Sequence, residues 1–282
     1  MRNLTEANLT DAVLARLSEC DDPRLKQVMS SLIKHLHAFV REIEPTPQEW
    51  MAGIQFLTAT GQKCDAVRQE YILLSDTLGV SMLMDAINNR KPAGATESSV
   101  LGPFYVEGAP EHANGADLAP GEGPGVTVSG TVRGTDGKPI ANALLDVWQT
   151  APNGLYHMQD AQAEEFHLCG KVHTAADGSY RLRTLKPVSY PVPVDGPVGQ
   201  LLEKLGRHPY RPAHIHFIVS APGYKPVVTQ IYTEGDDYLE SDAVFGVKNS
   251  LVVDYEKDGD EWKTSSSFGR EELPLVAKVA DL

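Results

Sequence analysis

The sequence predicts an α+β protein, a helical N-terminal domain followed by an antiparallel β-sandwich. Three observations carry that expectation. Apolar residues recur at helical spacing through residues 1–95, and a Gly/Pro/Ala-rich connector fills 108–125. Beyond it, short alternating stretches are separated by turn signals with no long helix between them. The expected domains are 1–95 (helical, and the site of subunit association), 96–125 (a linker contributing to a pocket) and 126–282 (the sandwich).

Taken in order, Thr5 opens a helix through about Cys20. Asp22-Pro23 then supplies a cap and an N1 proline for a second helix. Leu25, Val28, Met29, Leu32, Leu36, Phe39, Val40 and Ile43 form an amphipathic stripe along it. Thr46-Pro47-Gln48-Glu49 is a capping-box pattern starting a third helix through about Ala59. A fourth is expected from about Asp65 to Ile87, interrupted by Gly79. His35 and His37 lie in the second helix, where i and i+2 residues do not face each other. Helices this apolar with no enclosing sheet predict a leftover face that joins two subunits, most simply as a two-fold dimer.

Leu101-Gly102-Pro103-Phe104-Tyr105 sets two aromatics after a Gly-Pro turn, suited to line a pocket or to buttress two domains. Strands are then expected from Val126, around Ala143–Trp148, after the Asp177-Gly178 turn, at 213–220, 227–233 and 250–255. A single helical turn is expected at 201–205.

Composition narrows the class. With 41% hydrophobic and 22% charged residues the chain reads as a soluble globular protein, and no apolar run approaches the ~20 residues that span a bilayer. The start, Met1-Arg2-Asn3-Leu4-Thr5-Glu6, lacks the apolar core of a signal peptide. Cys20, Cys64 and Cys169 are scattered and odd in number, which suits a reducing cytoplasm better than a disulfide framework. A formal charge of −13 argues against nucleic-acid binding.

The stretch Arg211-Pro212-Ala213-His214-Ile215-His216-Phe217 carries the chemistry. Strand side chains alternate, so His214 and His216 share one face while Ile215, Phe217 and Val219 turn to a core. Two imidazoles on one face make half a metal site, and they also fit two ordinary histidines in a half-buried strand. Asn153-Gly154-Leu155-Tyr156 and Ser189-Tyr190-Pro191 each fix a tyrosine on a constrained segment. A phenol is neutral below a pKa near ~10, but a strongly charged cation deprotonates a coordinated group. Two phenolates with two imidazoles suit Fe(III) better than zinc. A zinc hydrolase on the same histidines lacks an identifiable third ligand. A noncatalytic ligand-binding sandwich would be colourless.

These motifs together resemble the intradiol ring-cleavage dioxygenases: Leu101-Gly102-Pro103-Phe104-Tyr105, Asp146-Val147-Trp148-Gln149, Asn153-Gly154-Leu155-Tyr156, Tyr190-Pro191, and Gly206-Arg207-His208 through Phe217. The resemblance spans nearly the whole chain. It implies one non-haem Fe(III) per chain, held by Tyr156, Tyr190, His214 and His216. It also implies an aromatic diol and dioxygen as substrates, and a homodimer joined through the N-terminal helices, with a lipid possible there. Tyr190 is preferred to Tyr180, a plain strand residue, and to Tyr210, which stands in the approach loop only four residues before His214. By the same resemblance Tyr190 takes a substrate proton, Arg211 stabilises developing negative charge and Gln230 orients the bound species. Leu73, Asp76, Gly102, Pro103 and Phe104 would contact the diol. Asp76 is suited to accept a hydrogen bond from a third hydroxyl, so the segment looks most like members acting on hydroxyquinol (1,2,4-trihydroxybenzene), with catechol and chlorocatechols as the alternatives.

Overall fold

The structure is a computed structural model and describes residues 2–90 and 95–265. Residues 91–94 of the expected helical domain and 266–282 of the expected sandwich domain lie outside the described residues. The chain forms two compact units, Met1–Thr58 and Ala59–Leu282.

In the first unit, helix α1 (Leu9–Ala15) precedes α2 (Pro23–Ile43), and α3 (Pro47–Gln62) runs across the unit boundary. Both expected caps form. The Asp22 carboxylate accepts from the backbone N–H of Arg24 and Leu25 at 2.8 and 3.0 Å. Thr46 and Glu49 make the reciprocal pair of a capping box, at 2.8 and 3.2 Å. The first helix is shorter than expected. Thr5 is not its cap, because Asn8 turns back to accept from the Thr5 N–H, and after Ala15 the chain tightens into i→i−3 turns. Along α2, Leu25, Leu32, Leu36, Phe39 and Ile43 are exposed.

In the second unit the expected fourth helix is two: α4 (Glu70–Thr77) and α5 (Val80–Asn88). Asp65 prevents an earlier start by drawing the Val67 and Arg68 N–H groups onto its carboxylate. Gly79 breaks the helix with φ +73°, a left-handed conformation that costs an L-residue roughly 1–2 kcal/mol. Gly79→Ala should therefore lower unfolding stability by about that much, readable in a urea titration.

The sandwich opposes two sheets. One has the order β1-β4-β3-β8-β9-β10, from β1 (Glu111–His112), β3 (Leu144–Trp148), β4 (Cys169–His173), β8 (His214–Ser220), β9 (Val227–Thr233) and β10 (Val252–Val253). The other is β11-β12-β2-β5, from β2 (Gly125–Thr131), β5 (Ser179–Leu185), β11 (Glu256–Asp258) and β12 (Glu261–Ser265). The sandwich is not purely antiparallel: β1/β4, β9/β10 and β2/β12 pair in parallel at or near sheet edges. Val126, Val128, Leu145, Val147, Ile215 and Phe217 belong to the core cluster between the sheets. Between β5 and β8 a long excursion carries β6 (Tyr190–Pro191), α6 (Pro197–Lys204) and β7 (Tyr210–Arg211).

Candidate active site

Strand alternation builds the floor of the site. Ile215, Phe217 and Val219 enter the core, so His214 and His216 occupy the opposite face of the six-stranded sheet. Register then chooses their neighbours. Trp148 and Gln230 flank His216, and Tyr232 flanks His214. The Trp148 indole stacks on the His216 ring at 4.6 Å and 12°.

The tyrosines arrive from outside the sheet. Tyr156 follows the 151–155 turn and is held by a backbone bond to the Gln159 side chain. Tyr190 pairs directly with Arg211 in the β6/β7 ribbon, so the excursion that begins at Tyr190 returns to the site just before His214. Tyr156 Oη lies 2.8 Å from Tyr190 Oη and 2.8 Å from His216 Nε2. His216 Nε2 lies 3.1 Å from His214 Nε2. All four residues are buried. Tyr180 goes instead to the core, and Tyr210 stacks on Tyr238 at 4.7 Å. His157 accepts from the Phe166 N–H, and His208 from that of Tyr210. His37 bonds Thr10 within the first unit.

This donor set fits a trivalent metal. Atoms bound to one cation at about 2.0–2.2 Å lie roughly 2.8–3.5 Å apart, the spacing of the three neighbouring pairs Tyr190–Tyr156, Tyr156–His216 and His216–His214. His214 Nδ1 donates to the Pro212 carbonyl at 2.6 Å, which makes Nε2 the acceptor of the ring, 3.1 Å from both Arg211 Nη1 and His216 Nε2. Burial, then Arg211, keeps His214 well below the usual histidine range; burial, then His214, does so for His216. Both rings are thus neutral donors. Burial raises both phenols, Tyr156 further through Tyr190, while Arg211 pulls Tyr190 the other way. Two buried phenols have no reason to ionise by themselves, but a cation among them would supply one.

Over this floor lies a cavity lined by Leu73, Asp76, Val100, Leu101, Gly102, Pro103, Phe104, Trp148, Tyr156, Tyr190, Val192, Arg211, His216 and Val244. Every residue expected to touch a diol is in its wall. His214 and Gln230 stand behind it. The Phe104 ring stacks on Tyr156 at 4.9 Å. Asp76 is buried and its carboxyl is raised, chiefly by burial, with the Ser81 hydroxyl and Arg211 opposing.

Arg211 is the other charged residue of the wall. Its Nε donates to Asp242 Oδ1 at 3.0 Å and its Nη2 to Gln230 Oε1 at 2.9 Å. Burial opposes its charge, but Asp242, the first of the neighbours that favour it, outweighs that and holds it cationic. Gln230 also donates through Nε2 to the Val100 carbonyl, at 2.5 Å, fastening the segment that leads into Gly102-Pro103-Phe104. The sequence reading missed Trp148 as a wall residue, Asp242, and the apolar contributions of Val100, Val192 and Val244. The β3 alternation could have found Trp148. Nothing local marks Asp242, 31 positions after Arg211.

Two family models match, "Catechol dioxygenase N terminus" over residues 22–96 and "Dioxygenase" over 100–270. The chain belongs to the intradiol ring-cleavage dioxygenases. Among curated relatives, hydroxyquinol 1,2-dioxygenase of Rhizobium sp. is 53% identical, with 89% of this chain and 86% of the relative covered. The 6-chlorohydroxyquinol 1,2-dioxygenase of Cupriavidus pinatubonensis is 50% identical over 92% and 95%. The crystal structure of hydroxyquinol 1,2-dioxygenase from Pseudomonas putida DLL-E4 superposes with a TM-score of 0.89 at 46% identity, covering 97% of this chain and 98% of that one. Among the described residues no helix is long and apolar enough to cross a membrane.

Proposed function

We propose that this dioxygenase opens hydroxyquinol between its adjacent hydroxyl-bearing carbons, giving 3-hydroxy-cis,cis-muconate, which tautomerises to maleylacetate. One Fe(III) per chain is held by Tyr156, Tyr190, His214 and His216. The chemistry such a centre supplies is Lewis acidity toward the two diol oxygens, which readies the ring for attack by dioxygen.

The protein's side chains do the rest. Tyr190 Oη, as phenolate, takes a proton from the diol; Tyr156 stays beneath it, stacked on Phe104. The Arg211 guanidinium, kept cationic by Asp242, offsets negative charge that gathers on the substrate, and Gln230 holds that guanidinium in place. Leu73, Val100, Pro103, Val192 and Val244 exclude water from the ring.

One observation carries the substrate choice: Asp76, a buried carboxyl in an otherwise mostly apolar part of the wall. The Ser81 hydroxyl already bonds this carboxyl, and the acceptor sites it leaves free suit a third ring hydroxyl, which catechol lacks. Asp76→Ala should reduce the preference for hydroxyquinol over catechol by about 10–150-fold, the worth of one hydrogen bond to a charged group. Oxygen uptake with the two diols side by side reads this. An equal loss on both would refute the hydroxyl-recognition role.

The exposed apolar stripe of α2 supports a homodimer joined through the helical domain, and an apolar surface that a lipid chain would cover. Three free thiols, Cys20, Cys64 and Cys169, support a cytoplasmic location.

A further inference from the structure

Helix α4 is a weak platform for a specificity device. It has eight residues, fewer than the ~12–15 at which an isolated helix becomes even marginal. Its apolar residues, Tyr71-Ile72-Leu73-Leu74, run consecutively around the helix instead of forming one stripe. Yet it sets both Leu73 and Asp76 in the cavity wall.

Charged side chains hold its two ends. At the N-terminal end the buried Glu70 accepts from the Val198 N–H at the start of α6 (3.2 Å) and from Arg68 Nε (2.9 Å). At the C-terminal end the anchor is Arg207. Its Nη1 donates to the Thr77 carbonyl at 2.6 Å, one of the last-turn carbonyls that a helix cannot satisfy internally. Its Nη2 donates to the Ala243 carbonyl at 2.9 Å, and the guanidinium lies 5.0 Å from the Phe245 ring centre.

Both acceptors adjoin residues of the site. Thr77 follows Asp76. Ala243 lies between Asp242, the partner of Arg211, and Val244, which lines the cavity. Local structure delivers the arginine. Helix α6 ends in a Schellman motif, with the Gly206 N–H on the Glu203 carbonyl (3.0 Å) and the Arg207 N–H on that of Leu202 (2.9 Å). Gly206 takes the left-handed φ of +66° which that motif requires. Arg207 itself does not line the cavity.

We infer that Arg207 is a specificity-determining positioning residue: by tying Thr77 to Ala243 it fixes the Asp76 wall against the Arg211–Val244 wall, and so sets the preference for a trihydroxylated ring. The inference rests on the hydroxyl-recognition reading of Asp76. A hydrogen bond weakens steeply with misalignment, so a carboxylate on a loosened helix keeps its chemistry but loses its discrimination.

The test uses iron-replete, full-length Arg207→Met, which keeps the stem but has no donors, and Arg207→Lys, which can reach one carbonyl. For Arg207→Met the hydroxyquinol-over-catechol preference should fall ~10-fold, through KM more than kcat. Amide exchange in α4 should rise, and the visible absorption of the metal site should stay where it is. Arg207→Lys should recover part of the preference. Adding Arg207→Met to Asp76→Ala should cost no further preference, since the arginine acts through that carboxylate. An unchanged preference in Arg207→Met beside a lost one in Asp76→Ala overturns the inference alone. An additive double variant does the same. An unchanged preference in Asp76→Ala overturns the Asp76 reading and this inference with it. Should Arg207→Met fail to fold, the lysine variant carries the same comparison.

Discussion

Replacing Tyr190 with phenylalanine should lower turnover by about 10²–10⁴-fold, the range for losing a positioned acid–base group, while the protein stays folded and still binds iron. The hydroxyl that is removed lies 2.8 Å from Tyr156 Oη, at one corner of the four-donor cluster. The ring that remains keeps its place in the apolar group formed with Ala109, Trp148, Tyr156 and Cys169. The fold should therefore lose little. Two optical results separate this from a general loss of activity. The wild-type iron protein should be red-brown, from charge transfer between phenolate and Fe(III), and Tyr190→Phe should shift or weaken that band. Tyr210→Phe should change neither colour nor turnover, because Tyr210 stacks on Tyr238 away from the donors. Chelation should bleach the protein, and zinc should restore neither colour nor oxygen uptake. A full-strength band and wild-type rate in iron-replete Tyr190→Phe would remove this tyrosine from the ligand set.

Asp242→Ala should be the most destabilising single change near the site, by about 3–5 kcal/mol in denaturant unfolding. Arg211 and Asp242 are both buried, with side chains 4% and 2% exposed. Removing the carboxylate leaves a guanidinium that cannot give up its proton, stranded away from water. Asp242 also shapes the wall, since its two oxygens accept the Val244 and Gly246 N–H groups at 3.3 and 2.8 Å. Its loss should cost both stability and turnover. The double variant Arg211→Met/Asp242→Leu should regain much of the stability, because the stranded charge is gone, but none of the turnover. A cost of less than ~1 kcal/mol for Asp242→Ala, the level of an ordinary surface change, would mean that the pair is not a buried ion pair in solution.

Local patterns were enough for much of this molecule. The caps at Asp22 and Thr46 lie where hydroxyl or carboxylate, proline and acidic spacing put them, because a helix start is decided within four residues. Period two alone put His214 and His216 on the face opposite Ile215 and Phe217. Length was less legible. The stretch from Asp65 to Ile87 reads as one amphipathic helix, yet Asp65 caps a turn and Gly79 takes a left-handed φ, so two short helices form. Periodicity sums over a window, whereas one backbone dihedral ends a helix.

What the sequence determined by itself was the direction of two imidazoles, the rigid placement of two tyrosines, and an α+β order of elements. What only the tertiary structure decided was their meeting. Tyr156 and Tyr190 come within 2.8 Å because β3 and β8 are neighbours and the β6/β7 ribbon folds the excursion back on the site. Asp242 reaches Arg211, and Arg207 reaches both Thr77 and Ala243, across 31, 130 and 36 positions of chain. Such contacts follow from sheet register and loop closure, which the whole core stabilises. A carboxylate and an arginine far apart in sequence carry no local sign that packing will bury them together.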